Sequence, residues 1–325
     1  MSEWPIRFAD VLDARTRLRP HLDPTPLRSY ALLDQAVGED VRVLVKHENF
    51  QPTGAFKVRN GLAALTRLGP DRARRGVVAA TRGNHGLGLA WAGRRLGVPV
   101  TVCVPRSNNP EKNAAIRGLG ARLVEEGRDY DECAAMADRV VREGRLQLVH
   151  STNDAAVVAG AATITLEMLE ERPDLDALVF AVGGGSQAVG GLTVVRELRP
   201  ALPVYAVQAS GAAAIHDAWH RGEPVSHPSA DTFADGLATR NTYPFTFGAL
   251  RDGLAGFVTA TDAAIAEAMR LVIATTHTLV EGAGAAGLAG LLALRAELAG
   301  RTVGIVLSGA NVDTDTLRRV LAREI

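Results

Sequence analysis

From Val41 onward the chain alternates short β-branched runs with longer stretches of helical periodicity, and this alternation restricts the fold more than any other feature. The runs are Val41–Val45, Gly76–Ala80, Val98–Val104, Leu178–Val182, Val204–Val207 and Val303–Leu307. Helical patterns stand between them at Asn84–Leu96, Asp129–Glu143, Ala155–Glu171, Thr261–Thr276 and Ala283–Leu298. Such runs, apolar throughout and separated by helices, predict an α/β fold with two open, mostly parallel twisted sheets covered by helices. The length of 325 residues fits two domains. A break near His150–Asn153 divides residues 54–150, a small domain, from 1–53 plus 151–325, a large one. Residues 7–37 read as two short helices around prolines 20, 24 and 26, forming an N-terminal arm. Residues 221–247, rich in Pro, His, Ser, Thr and Asp, read as a long functional loop.

Thirty-six basic residues balance thirty-six acidic ones, so no net field draws the chain to nucleic acid or to an anionic membrane. No apolar span is long enough to cross a bilayer. The opening Met-Ser-Glu-Trp-Pro lacks a basic segment followed by an apolar core, which argues against a cleaved secretion signal. Cys103 and Cys133 are too few for a disulfide framework or a cysteine metal site, and both lie in apolar-patterned segments. A reducing, cytoplasmic setting is the expectation.

Lys57 stands where Pro52 and Gly54 end one segment and a new helix starts. A cation at a helix N-terminus opposes the helix dipole, so this lysine either points to solvent or is held there for chemistry. Three other stretches lie between a strand and the next segment. Thr81-Arg82-Gly83-Asn84-His85-Gly86 offers helix-start N–H groups suited to a carboxylate, although Asn84 also reads as a simple helix cap and His85 as a polar surface residue. Gly183-Gly184-Gly185-Ser186 offers backbone donors and a hydroxyl to a phosphate. It lacks both the ribose-binding acid of a dinucleotide site and a Walker lysine. Ser308-Gly309-Ala310-Asn311 offers a neutral partner to a heteroaromatic nitrogen, or is a plain turn. Together they ask for a ligand with an aldehyde, a phosphate and a polar ring, which pyridoxal 5′-phosphate supplies.

With these stretches in this order, the chain resembles the fold type II (tryptophan synthase β-like) pyridoxal-phosphate enzymes, and among them the serine/threonine dehydratases, also called threonine ammonia-lyases. The resemblance covers Gln51–Arg59, Gly83–Gly86, the triglycine at Gly183, Ala234–Ala238, Glu281–Ala285 and Ser308–Asn311. It implies that Lys57 forms the Schiff base, that Phe56 packs beside the cofactor and that Asn84 bonds the ring hydroxyl. Gly183, Gly184, Gly185 and Ser186 would bind the phosphate, Gly236 would approach the ring, and Ser308 would face the pyridine nitrogen and so take part in catalysis. Thr81, Gly83, Asn84 and His85 would hold the substrate. The small domain would then carry the lysine and the carboxylate loop, and the large one the rest of the cofactor site. A homodimer is implied too.

Several positions depart from the pattern. Arg82 stands where racemases of this group carry a serine base, and a guanidinium is not a base. Gln208 and Ala214 stand where relatives bind a divalent cation, so no metal is expected. No C-terminal regulatory domain is expected beyond Ile325. The resemblance implies β-elimination of water from a 3-hydroxy amino acid, L-threonine or L-serine, to give a 2-oxo acid and ammonia. Rival readings are dehydration of a hydroxyaspartate or an ectoine-pathway hydroxy amino acid, a β-replacement synthase, and a cofactor carrier without turnover. Arg82 and the Arg240–Phe247 segment, with Tyr243, Phe245 and Phe247, either favour an extra carboxylate or larger side chain or are surface and packing residues.

Overall fold

The computed structural model describes residues 4–106, 108–127 and 130–325. Among the described residues ten strands run, in chain order, β1 (Leu27–Ser29), β2 (Arg42–Lys46), β3 (Val77–Ala80), β4 (Val100–Val104), β5 (Arg122–Glu125), β6 (Gln147–Leu148), β7 (Ala177–Ala181), β8 (Val204–Ala209), β9 (Gly256–Ala260) and β10 (Thr302–Val306). They form a six-stranded sheet, β1-β2-β10-β7-β8-β9, and a four-stranded one, β5-β4-β3-β6. All pairings are parallel except β1 with β2.

The expected α/β class with two mostly parallel sheets is what the chain adopts. The six predicted runs are β2, β3, β4, β7, β8 and β10. The four strands the pattern does not reveal, β1, β5, β6 and β9, are the sheet edges. Edge strands are half solvated and carry polar residues, as the exposed Arg122 and Glu125 of β5 show. The helix predicted from Asp129 spans Tyr130–Gly144, Asp129 itself lying outside the described residues. The N-terminal arm holds the two expected helices, Phe8–Leu18 and Ala31–Val37, with β1 between them. Its Phe8–Leu18 helix buries Val11, Ala14 and Leu18, and β1 pairs with β2, with Arg28 opposite Val45.

Alternation along each central strand sorts side chains to two cores. Val43, Val45, Val179, Val207 and Ile305 pack beneath the Asp262–Thr276 and Gly282–Leu294 helices. Leu44, Leu178, Phe180, Val204 and Val306 face the Ala155–Glu171 and Ser186–Leu198 helices. The Gly282–Leu294 helix is apolar on every side, as its burial from Gly282 through Leu291 requires. Asp154 sets the start of the Ala155–Glu171 helix by accepting from the N–H groups of Ala156 and Val157 at 2.8 and 3.3 Å. Both cysteines are buried, and neither is part of a disulfide among the described residues.

Two helices matter most for the site. The Lys57–Leu65 helix and the Asn84–Leu96 helix meet backbone to backbone, because a Cβ on Gly61 would lie 2.5 Å from the Gly88 carbonyl oxygen and one on Gly88 would collide with the Lys57 carbonyl. Glycine at both positions brings the first turns of the two helices, with Lys57 and Asn84, to one cavity.

Candidate active site

Lys57 is the first residue of its helix, and its Nζ lies 3.3 Å from Ser186 Oγ and 4.6 Å from the centre of the Phe56 ring. Burial brings its ammonium down to a pKa of about 8, since no carboxylate among the described residues pairs with it. The solvent-pointing alternative for this lysine is removed. A charged network holds the helix start instead. Arg59 donates to both Glu48 oxygens at 2.8 Å and to Glu167 at 2.5 and 2.8 Å, and Lys46 lies 2.6 Å from Glu167. Burial alone would raise the Glu48 carboxyl, yet the Arg59 guanidinium holds it below its usual range.

The cavity has a water-accessible volume of about 360 Å³ and is bounded by Lys57, Asn84, Gly183–Ser186, Gly236 and Ser308, which the sequence placed in separate stretches. Thr81, Gly83, His85 and Phe56 also line it. The glycines permit a close approach of chain to chain. A Cβ on Gly183 would collide with the Gly236 carbonyl and one on Gly184 with the Thr152 hydroxyl, while Gly185 has φ +96°, the left-handed region. The Ser186–Leu198 helix then starts with its free N–H groups at the loop, a cradle for an anion.

His85 is buried rather than a surface residue. Its Nε2 donates to the Val149 carbonyl at 3.0 Å, which leaves Nδ1 unprotonated and without a partner among the described residues. Burial and the nearby Lys57 hold the ring neutral, with a pKa of about 3. Gly83 N–H donates to Thr81 Oγ1 at 3.0 Å, which shapes the turn into the Asn84 helix. The amide of Asn84 lies between Asn311 and Glu281, at 2.7 and 2.6 Å. Ser308 Oγ is 3.4 Å from the Ala283 carbonyl.

The motifs also clasp each other. Phe56 N–H donates to the Ser308 carbonyl at 3.0 Å, Ala310 N–H to the Gly54 carbonyl at 2.8 Å and Glu281 N–H to the Gly309 carbonyl at 3.0 Å. Glu281, Lys112, Thr152 and Gln187 are lining residues to which sequence reasoning gave no role. Lys112 pairs with Asp235 at 2.6 Å across the cavity mouth. Glu281 opens a motif already noted, whereas nothing in the local pattern around Lys112 marks it. Arg82 and Arg240 line the cavity with Tyr243, but Phe247 is buried in the core and Phe245 packs against a buried cluster. Gln208 is buried, its Oε1 accepting the His216 N–H at 3.0 Å, which places it at the start of the Ala214–Arg221 helix.

The residues present fit pyridoxal phosphate. A desolvated lysine stands beside a glycine cradle that any Cβ would fill, and the buried Gln187 Nε2 and His85 Nδ1 lack partners among the described residues. Fold and site thus define a pyridoxal-phosphate enzyme of fold type II. The chain belongs to the family of pyridoxal-phosphate dependent enzymes, which matches residues 18–309. Within it the chain is a lyase. It is 37% identical to an L-threonine ammonia-lyase of Geobacter sulfurreducens over 98% of this chain and 79% of that one. It is 31% identical to an L-threo-3-hydroxyaspartate ammonia-lyase of Saccharomyces cerevisiae, over 94% and 93% of the two chains. The crystal structure of a T.th. threonine deaminase superposes with a TM-score of 0.89 at 32% identity, covering 94% of this chain and 99% of that one. Among the described residues no helix is long and apolar enough to cross a membrane.

Proposed function

We propose that this lyase removes water from L-threonine or L-serine and releases ammonia, with 2-oxobutanoate or pyruvate as product. The observation that carries the reading is Lys57, a lysine brought to a pKa of about 8 by burial and held 3.3 Å from Ser186. Bound pyridoxal phosphate supplies an aldehyde to hold the substrate amine and a ring to take up the electrons of the Cα–H bond. Lys57 takes the Cα proton, which its lowered pKa permits near neutral pH. Gly183, Gly184, Gly185 and Ser186 hold the phosphate, Ser308 the ring nitrogen and Asn84 the ring oxygen, with Phe56 and Gly236 against the ring. Thr81, Gly83 and His85 hold the substrate carboxylate. The neutral His85 ring offers no proton at Nδ1, so its contribution there is the backbone N–H. The proton that Lys57 takes from Cα balances the one the β-hydroxyl gains as it departs as water, and the released enamine takes up one water as it hydrolyses to the 2-oxo acid and ammonia.

Residues 54–150 form a small domain and 1–53 plus 151–325 a large one, and the protein is a cytoplasmic homodimer in the same reading. One observation favours a second substrate: Arg82 lines the cavity with no hydrogen bond or ion pair among the described residues, a free cation for a second carboxylate such as that of 3-hydroxyaspartate. A panel of 3-hydroxy amino acids assayed for 2-oxo acid and ammonia, with and without a divalent-ion chelator, tests the proposal. Turnover of L-threonine or L-serine supports it; turnover only of L-threo-3-hydroxyaspartate replaces it with the second reading. A new amino acid formed from serine and a thiol would instead identify a β-replacement enzyme.

A further inference from the structure

Asn84 meets the cavity through a carboxamide whose oxygen and nitrogen are alike in shape, so only its partners decide which atom faces which way. The partners form a chain with a fixed sense. Asn311 Nδ2 lies 2.8 Å from the Thr53 carbonyl oxygen and 2.7 Å from the Asn84 carboxamide. A backbone carbonyl can only accept, so the Asn311 atom between them is its nitrogen. Asn84 must then meet Asn311 with its oxygen. Its nitrogen is turned to the other side, where Glu281 Oε1 accepts one of its two hydrogens at 2.6 Å.

We infer that Asn311 and Glu281 are positioning residues that fix the sense of the Asn84 carboxamide, leaving its second N–H as the donor offered to the cofactor ring oxygen. The opposite sense would set two acceptors against each other and lose that bond. Glu281 is itself firmly placed. It is 7% exposed, its N–H is bonded to the Gly309 carbonyl, and a Cβ on Gly309 would collide with its carboxylate, which explains a glycine after Ser308. Burial raises the pKa of Glu281, and the positive charge of Lys112 opposes that rise.

The inference rests on the assignment of Asn84 to the ring oxygen, and the test separates the two. Glu281→Met and Asn311→Asp are close to isosteric: the first removes the acceptor of the Asn84 N–H, and the second removes the donor to its oxygen. The readouts are the visible absorption of the lysine-bound cofactor, its titration with pH, and the dissociation constant of pyridoxal phosphate by fluorescence, none of which needs turnover. Asn84→Ala is expected to shift the absorption band and weaken cofactor binding about tenfold. Glu281→Met and Asn311→Asp are expected to shift the band in the same direction, and to add nothing in the Asn84→Ala background. Wild-type spectra and affinity in both isosteric variants, or shifts that persist undiminished without Asn84, would overturn the relay while leaving the Asn84 assignment standing. An unchanged spectrum in Asn84→Ala would overturn both. If one isosteric variant does not fold, the other decides by the same criteria.

Discussion

Gly88 lies against the carbonyl of Lys57, so close that a Cβ there would collide with it. Gly88→Ala must therefore push the Asn84–Leu96 helix from the Lys57–Leu65 helix and separate Asn84 from Lys57. The expected result is at least a tenfold loss in cofactor affinity by fluorescence titration. Gly118→Ala, a helical glycine with open space around it, should leave affinity unchanged and raise stability by about 0.5–1 kcal/mol.

Lys57→Ala should abolish both the visible absorption of the lysine-bound cofactor and 2-oxo acid formation. Normal turnover in this variant would remove Lys57 from the chemistry.

The depressed pKa of Lys57 also links stability to pH. Between about 8 and the usual 10.5 the folded apoprotein carries a neutral amine while the unfolded chain carries an ammonium. The unfolded state binds more protons in that window, so Lys57 makes the apoprotein more stable as pH rises through it. Urea midpoints of the wild type relative to Lys57→Met should increase from pH 7.5 to 10; a flat difference would show that the lysine is not desolvated.

Glu48 is fully buried and accepts from Arg59, from Thr25 at 2.6 Å and from Gln51 at 3.0 Å. Removing it leaves the buried Arg59 with Glu167, which Lys46 shares, as its remaining carboxylate. Glu48→Ala should cost about 3–5 kcal/mol in urea unfolding, as breaking a buried ion pair does. A cost below about 1 kcal/mol would show that water reaches the network.

His85 should stay neutral from pH 5 to 9, with the proton on Nε2, because the Val149 carbonyl accepts it and burial excludes the cation. Nitrogen chemical shifts of the labelled ring check this directly. A titration near pH 6.5 would contradict it.

The central strands and the long helices were legible because buried parallel strands and capped amphipathic helices leave unbroken patterns along the chain. The edge strands were not, since an edge strand has one solvated side and needs no apolar run. In the same way the Lys57, Asn84, triglycine and Ser308 stretches could be read as parts of one cofactor site, because each offers local chemistry that a strand-to-helix junction makes available. Local chemistry carries no record of what a distant side chain supplies. Arg59 in its charged network, Lys112 across from Asp235, and Glu281 and Asn311 on either side of Asn84 depend on contacts between residues far apart in the chain. The sequence by itself determined the sheet class and the cofactor, and singled out the lysine. The tertiary structure alone decided which way the Asn84 amide turns, that His85 is a neutral acceptor, and that Lys57 loses its proton near pH 8, because orientation and desolvation arise only when those chain segments pack together.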